Sequence, residues 1–318
     1  MTAAAVLAGY SADRALGDPR RAHPVALFGR LASAVERAVW RPSRAVGAAY
    51  VALLVGGAAA AGRRLALPVA LWIALGGRSL AREARRVGAL VDAGDLPAAR
   101  QAVTALVGRD PSRLGADELC RAAVESVAEN TVDAVVAPLV WAAAFGPAGV
   151  CAHRAANTLD AMVGHRTARY ERFGWAAARL DDAMNWPVAR LTALLTVVLG
   201  GAPASTARIV RRDGAAHPSP NGGRAEAAFA GALGVRLGGR NVYPERVEHR
   251  PHLGDGRAPT PADVDRAARL SLRVGLAAAL LAAAVRHTTS RGSSEGGLPR
   301  RGARGDLGLV ATLAGGAA

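Results

Sequence analysis

Long uncharged stretches alternate with arginine-rich polar segments along the whole chain. Residues 45–62 and 134–152 carry no charge, and their lengths fall within the roughly 17–25 residues that a helix needs to cross a bilayer. Shorter uncharged stretches lie at 1–9, 65–77, 191–207 and 274–285. Helices in the core of a soluble protein rarely run so far without a charge. The pattern therefore predicts an all-α, multi-pass helical membrane protein, with a large soluble α-helical protein as the alternative.

The polar segments differ from one another. Within 78–121, apolar residues recur at helical spacing between arginines, and Gly94 and Pro97 divide the segment into two surface helices. The segment 208–261 is rich in glycine and proline, which predicts a long structured loop region, and no strand pattern competes with the helices. We expect one membrane-embedded helical domain over 1–285 and a disordered tail over 286–318.

Charge narrows the range of partners. The chain has 40 Lys and Arg residues, all of them arginine, and a formal net charge of +15. Only 4% of the residues are aromatic and no nucleic-acid-binding motif is present, so we expect membrane lipid and no nucleic acid as a partner. Because every polar segment is rich in arginine, the positive-inside rule does not assign a side of the membrane to any of them.

An acidic ridge is the first candidate for chemistry. Glu125, Glu129 and Asp133 lie at i, i+4 and i+8 of a predicted helix, where like charges destabilise one another. A cation would relieve this repulsion, and Mg²⁺, an amine substrate and Arg121 at i−4 are all candidates. Asn130 could add a neutral ligand. The spacing alone does not decide among these alternatives.

Two further polar faces follow the uncharged stretch 134–152. Asn157 and Asp160 share one helical face, which is costly next to an apolar stretch unless that face lines a cavity or lies among the lipid headgroups. Asp181 and Asp182 are adjacent, so they point to different faces of a helix, and one of the two is expected to be structural.

A phosphate site has weaker support in the sequence. The backbone amides around 221–223 in the turn HPSPNGGR (217–224) could form an anion nest. No P-loop and no GxGxxG motif after a strand is present, so a nucleotide, if one is used, is held by a site of another kind.

Four stretches together resemble the CobD/CbiB family of cobalamin-biosynthesis membrane proteins. They are GDPRRAHPVALFGRL (17–31), ESVAENTVDAVVAPLVW (125–141), RAANTLDAMVGHRTARYERFGWAAARLDDAMNWPVARLTALL (154–195) and HPSPNGGRAEAAFAGALGVRLGG (217–239). They occur in the family's order and span most of the chain. The tail after residue 285 departs from the apolar end that is usual in the family.

The resemblance implies the adenosylcobinamide-phosphate synthase step. In this step (R)-1-amino-2-propanol, or its O-phosphate, is joined in amide linkage to a propionate carboxylate of adenosylcobyric acid. Activation of that carboxylate implies ATP and Mg²⁺ as cofactors. The implied location is the cell (cytoplasmic) membrane, with other proteins of the corrinoid pathway as further candidate partners.

The candidate site residues fit this chemistry as a hypothesis. Mg²⁺ is assigned to Glu125, Glu129 and Asp133. The catalytic groups are Glu129, Asp160 and Asp181, with Asp182 as the alternative to Asp181. Substrate and phosphate binding is assigned to Asn130, Asn157, Arg166, Arg169, Asn221 and Arg224, since arginine pairs well with phosphate oxygens.

Two functions of other classes remain open from the sequence. A transporter for a corrinoid or an anion would line its path with the acidic ridge. A membrane scaffold would recruit the soluble enzymes of the late corrinoid pathway without chemistry of its own. Vesicle uptake of a corrinoid without ATP or amine would favour the first, and product formation only after a partner is added would favour the second.

Overall fold

The computed structural model describes residues 2–19, 23–165, 167–243 and 246–295, which form twelve α-helices and one β-hairpin. The helices are α1 (Ala3–Leu16), α2 (Pro24–Val39), α3 (Arg44–Gly62), α4 (Leu67–Ala74), α5 (Gly77–Asp92), α6 (Leu96–Val103), α7 (Ala116–Thr131), α8 (Ala137–Val163), α9 (Trp175–Leu199), α10 (Pro203–Asp213), α11 (Gly222–Leu233) and α12 (Pro261–Glu295). A π-helical turn (Val132–Val136) joins α7 to α8, and the strands are β1 (Leu237–Tyr243) and β2 (Arg246–Leu253). The helical fold class is confirmed.

Three helical segments of the described chain are long and apolar enough to cross a membrane. They are Arg44–Gly62, the continuous run Ala116–Val163 and Pro261–Thr288. The uncharged run 65–77 is a separate helix after the break at Arg63 and Arg64, so 45–77 is a pair of helices rather than one long helix. These segments indicate a membrane protein.

The second of these segments is not a straight rod. Gly146 has φ +65°, which is open to glycine but strained for other residues, and Pro147 begins a new helical arm. Asp133 and Asn157 are 24 residues apart and yet hydrogen-bond at 3.2 Å. A straight helix would separate them by about 36 Å. The chain therefore folds back at Gly146, and α8 is a helical hairpin with arms 137–145 and 147–163.

Close packing fixes this hairpin against α3. A Cβ on Gly62 would lie 2.7 Å from the carbonyl oxygen of Pro147, and a Cβ on Gly149 would lie 2.6 Å from that of Trp141. Small residues at these positions let the backbones approach, as is common where helices pack in membranes. A second core cluster joins α3 to α9, where the rings of Tyr50 and Phe173 lie 5.1 Å apart.

The β-hairpin corrects the sequence analysis. The segment 208–261, predicted as a long loop region, contains most of α10, all of α11 and the hairpin. The strands pair antiparallel, with Asn241 opposite Glu248 and an irregular register between Leu237 and Gly239. Gly238 and Gly239 have φ +82° and +94°, so the bulge requires glycine there.

The outer regions also refine the prediction. The two surface helices within 78–121 are present as α5 and α6 and are followed by α7. At the other end, α12 continues to Glu295, so the boundary drawn at residue 285 falls inside a helix. Residues 296–318 of the predicted tail lie outside the described residues.

Candidate active site

One cavity of 330 Å³ collects polar side chains from parts of the chain that are far apart in sequence. Its wall is built from the end of α7 and the π-helical turn, the second arm of α8, α9, the loop before α11, and β2. The acidic members of the wall are Glu129, Asp133, Asp160, Asp181, Asp182 and Glu248, and the basic members are His165, His217 and Arg250. We refer to this space as the acidic cavity.

The π-helical turn sets the position of Asp133. Such turns add one residue to a helical turn and are frequent at functional sites. Asp133 is the second residue of this turn. The carbonyl oxygen of Ala134 accepts a hydrogen bond from the backbone amide of Gly76 at 2.9 Å. The amide of a neighbouring segment thus satisfies a backbone group within the irregular turn.

Asn157 connects two carboxylates across the cavity. Its Nδ2 donates to Asp133 Oδ2 at 3.2 Å and to Asp181 Oδ1 at 3.3 Å. Because one amide nitrogen holds both oxygens, α8 and α9 are locked in register at this point. Two helices predicted as separate polar faces therefore contribute to one site.

A second amide holds the other oxygen of Asp181. Asn185 Nδ2 donates to Asp181 Oδ2 at 3.1 Å, and Asn185 Oδ1 lies 2.9 Å from His153 Nε2. With the amide in this orientation, His153 carries its proton on Nε2 and donates it. His153 and Asn185 are buried, so this chain of hydrogen bonds fixes the position of the Asp181 carboxylate from the protein interior.

The surroundings of Asp181 change its acidity. Burial, together with the nearby charge of Asp160, raises the pKa of Asp181 to about 7, although hydrogen bonds from Asn157 and Asn185 act in the opposite direction. A carboxylate with this pKa exchanges a proton readily near neutral pH, which is the property of a general base.

The loop before α11 closes one side of the cavity. His217 Nδ1 accepts a hydrogen bond from the backbone amide of Ser219 at 3.0 Å, and Asn221 Nδ2 donates to the carbonyl oxygen of Asp182 at 2.9 Å. Burial lowers the pKa of His217 to about 4, with the charge of Arg250 adding to the effect, so His217 is neutral at pH 7. From the sequence, this turn was predicted only as a candidate anion site formed by the backbone amides around 221–223.

Glu125 is not part of the acidic cavity. Its carboxylate lies 2.7 Å from Arg109 Nη2 and 3.6 Å from Arg121 Nη1, and it accepts a hydrogen bond from the amide of Gly238 at 2.8 Å. Of the alternatives weighed for the ridge, neutralisation by arginine therefore accounts for Glu125. The set Glu125, Glu129 and Asp133 is not brought together, and a metal role for Glu129 and Asp133 stays a prediction.

The chain resembles known proteins over most of its length. The model of the CobD/Cbib protein family matches residues 6–271. The chain belongs to the CobD/Cbib family. That match contains every residue of the acidic cavity, and with it the family supports a role in cobalamin biosynthesis.

Curated CobD relatives agree with the family match. The cobalamin biosynthesis protein CobD of Mycobacterium tuberculosis is 52% identical over 295 residues, which cover 88% of this chain and 94% of the relative. The proteins of the same name from Chromobacterium violaceum and Rhodobacter capsulatus are 45% and 42% identical over 299 and 294 residues. They cover 86% and 85% of this chain and 95% and 92% of their own length. No solved structure matches this CobD/Cbib chain.

Three other predicted binding residues of this CobD/Cbib protein, Asn130, Arg169 and Arg224, lie away from the cavity wall. Asn130 Nδ2 donates back to the carbonyl oxygen of Ser126 at 2.9 Å. Arg169 pairs with Glu36 at 2.9 Å. Arg224 is not among the residues that line the cavity, and Arg166 lies outside the described residues.

The carboxylates of the acidic cavity meet the requirements of Mg²⁺ only in part. Within the described ranges, no three His, Cys, Asp or Glu side chains come close enough together to hold a metal ion. Mg²⁺ commonly takes one or two protein carboxylates and completes its shell with water and phosphate oxygens. The acidic cavity therefore suits an Mg²⁺ ion that is shared with a substrate, and it does not suit an ion enclosed by protein.

Glu248 and Arg250 are charged cavity residues that the sequence analysis missed. Both lie on β2, inside the segment predicted as a loop region. The alternation in RVEHRPHL (246–253) is the only local signal for this strand. This alternation is short and interrupted by Pro251. The glycine and proline content around it therefore led to the prediction of a loop.

Proposed function

We propose that this chain forms the amide bond between (R)-1-amino-2-propanol, or its O-phosphate, and a propionate carboxylate of adenosylcobyric acid. The observation that carries the proposal is the acidic cavity itself. Two family motifs, 125–141 and 154–195, converge there, because Asn157 donates hydrogen bonds to both Asp133 and Asp181. Cobalamin biosynthesis follows from the family, and the specific reaction is the proposal.

The chemistry needs a way to remove one carboxylate oxygen. A bond forms between the carboxyl carbon and the amine nitrogen, and the nitrogen releases its protons. With ATP as co-substrate, the departing oxygen leaves on the transferred phosphoryl group, so ADP and inorganic phosphate are the other products. Mg²⁺ would neutralise the phosphate charges, and Glu129 and Asp133 are the residues proposed to hold it.

The remaining cavity residues are assigned to the amine. The ammonium group of the amine is attracted by the carboxylates of Asp160 and Asp181. Asp181 accepts the proton that the nitrogen must lose, because its raised pKa suits a base that works near neutral pH. Arg250 lines the cavity, so we assign to it the phosphate group of a substrate; Arg169 and Arg224 do not line the cavity.

The proposed metal role has a direct test. Glu129→Gln keeps the size of the side chain and removes its charge, so we expect a higher Mg²⁺ requirement and lower turnover in an assay of corrinoid amide formation. Glu171→Gln, which removes an exposed carboxylate outside the cavity, is the matched control. Turnover of Glu129→Gln close to wild type at low Mg²⁺ would show that Glu129 does not hold the ion.

The proposed location is the cytoplasmic membrane, which the chain crosses more than once. Two segments that are long and apolar enough to cross, Arg44–Gly62 and Pro261–Thr288, support this proposal. Lipid is therefore a proposed partner in addition to the two substrates.

A further inference from the structure

A second, smaller cavity lies next to the acidic cavity. It has a volume of 170 Å³ and lies between α2, α3, α4 and the second arm of α8. Its wall is formed mainly by alanine, glycine and larger apolar side chains such as Phe28, Leu65 and Ile73. Arg154 is the charged residue among the described residues of this wall. We refer to this space as the apolar pocket.

Arg154 lacks a strong partner. Its Nε is buried and has no hydrogen-bond partner, and its Nη1 donates to Asn157 Oδ1 at 3.5 Å, the weak limit of a hydrogen bond. Neither Asp133 nor Asp18, both of which the structure describes, forms an ion pair with it. A partly buried guanidinium whose Nε has no partner and which lacks a close counter-ion is unfavourable, so this pocket is suited to an anion.

The size of the pocket limits what that anion can be. A water molecule occupies about 30 Å³ in the liquid, so 170 Å³ corresponds to about five or six groups of that size. A nucleotide or a whole phospholipid is too large. The apolar wall favours a short hydrocarbon arm, and Arg154 favours a carboxylate at its end, because a guanidinium pairs with a carboxylate in bidentate geometry.

Asn157 lies between the two cavities. Its Oδ1 faces Arg154, and its Nδ2 faces Asp133 and Asp181. A carboxylate paired with Arg154 and an ammonium group held by Asp181 would therefore meet at the same amide side chain. The positively charged pocket would then take the carboxylate, and the negatively charged cavity would take the ammonium group.

We propose that the apolar pocket binds the reacting carboxylate arm of the acid substrate, with Arg154 as its counter-ion. The proposal rests on the proposed function and adds the binding site of one substrate to it. It assigns the acid to the pocket between α2, α3, α4 and α8, and the amine to the acidic cavity.

The test measures binding without turnover. Adenosylcobyric acid and the derivative with a primary amide in place of the reacting carboxylate are titrated by equilibrium dialysis against the full-length protein in detergent. We expect wild type to prefer the acid by about tenfold or more, as for a charged hydrogen-bonded pair. Arg154→Gln should bind the acid and the amide equally, and Arg154→Lys should restore part of the preference.

Two more variants separate the pocket from general effects. Ala58→Leu fills the apolar pocket without touching Arg154 and should weaken binding of both ligands. Arg86→Gln removes an exposed guanidinium on α5 and should change neither.

The outcomes are distinct. A preference for the acid that persists in Arg154→Gln, or an equal loss of both ligands in that variant, would overturn the proposal. The proposal would also be overturned if Arg154→Gln lost a fatty acid or an anionic lipid that co-purifies with wild type and bound the acid substrate unchanged. If wild type shows the predicted preference but forms no amide with ATP and the amine, the proposed function fails while the carboxylate site stands.

Discussion

Asp181 shows how single residues determine what the site can do. Two amides hold its oxygens in place, and burial raises its pKa to about 7. Since the ionised form must accept the proton, activity should rise with pH through about 7 and level off above it. Asp181→Asn should lower kcat by about a hundredfold or more.

The measurement for Asp181 is a pH profile of amide formation between pH 5.5 and 9. Asp92→Asn, which changes an exposed carboxylate on α5, should keep the wild-type profile. A profile that is flat through pH 7 in wild type would argue against Asp181 as the base.

Asp13 gives a prediction about stability rather than activity. It is 1% exposed, and burial raises its pKa from 3.8 to about 6. The folded state therefore binds the proton more tightly, and stability decreases as pH rises from about 4 to 6. Asp13→Asn removes this penalty, so it should raise the free energy of unfolding at pH 7.5 by at most about 3 kcal/mol.

Thermal unfolding in detergent tests the prediction for Asp13. The gain in Tm should be present at pH 7.5 and absent well below pH 3.8, where Asp13 is protonated in both states. The asparagine can still accept the hydrogen bond from the amide of Arg78, which now reaches Asp13 Oδ2 at 3.3 Å. A variant that is less stable at both pH values would contradict this account.

At the scale of elements, the buried contacts of Glu125 fasten the β-hairpin to α7. Arg121 also donates to the carbonyl oxygens of Gly238 and Arg240, and Arg109 donates to Asn241. Glu125→Gln leaves two arginines without their charge partner, so we expect a loss of about 3 kcal/mol or more in stability. Hydrogen exchange in the hairpin should become faster.

Glu129→Gln is the matched comparison for Glu125, because it lies one helical turn away and faces the acidic cavity. It should leave both the Tm and the exchange of the hairpin close to wild type. If Glu125→Gln kept full stability and instead changed the Mg²⁺ requirement, the ion-pair account would be wrong and the metal role of Glu125 would be restored.

How much the sequence could predict differs from element to element. The helices follow from long apolar runs and helical spacing, and Asp133, Asn157 and Asp181 were all chosen from their motifs. The hairpin was missed because its alternation of polar and apolar residues is short, and Gly238, Gly239 and Pro251 are typical of loops. The full set of partners of Glu125 was not predictable, since it includes Arg109 in the loop between α6 and α7 and the amide of Gly238 in β1, which helical spacing does not reveal.

At the scale of the whole molecule, the turn at Gly146 determines which segments of the chain lie on the same side of the membrane. The length of 134–152 alone fits one crossing of the bilayer. Because the second arm of α8 comes back to Asp133, the chain before α7 and the chain after α8 should face the same side. A crossing helix would place them on opposite sides.

Single-cysteine labelling tests this arrangement. With Cys120 and Cys151 replaced by alanine, Arg113→Cys and Ala168→Cys each introduce one exposed thiol, before α7 and after α8. A membrane-impermeant maleimide should label both from the same side of sealed vesicles, and detergent should expose both equally. Labelling from opposite sides would show that the hairpin does not return.

The most direct test of the central claim is product formation by the purified protein alone. The wild-type chain in detergent is incubated with adenosylcobyric acid, (R)-1-amino-2-propanol O-phosphate and Mg-ATP, and the products are identified by mass spectrometry. We predict adenosylcobinamide phosphate in an amount that depends on each of the three additions. A folded protein that forms no product by itself, but carries labelled corrinoid into vesicles or becomes active only after another protein is added, would contradict the claim.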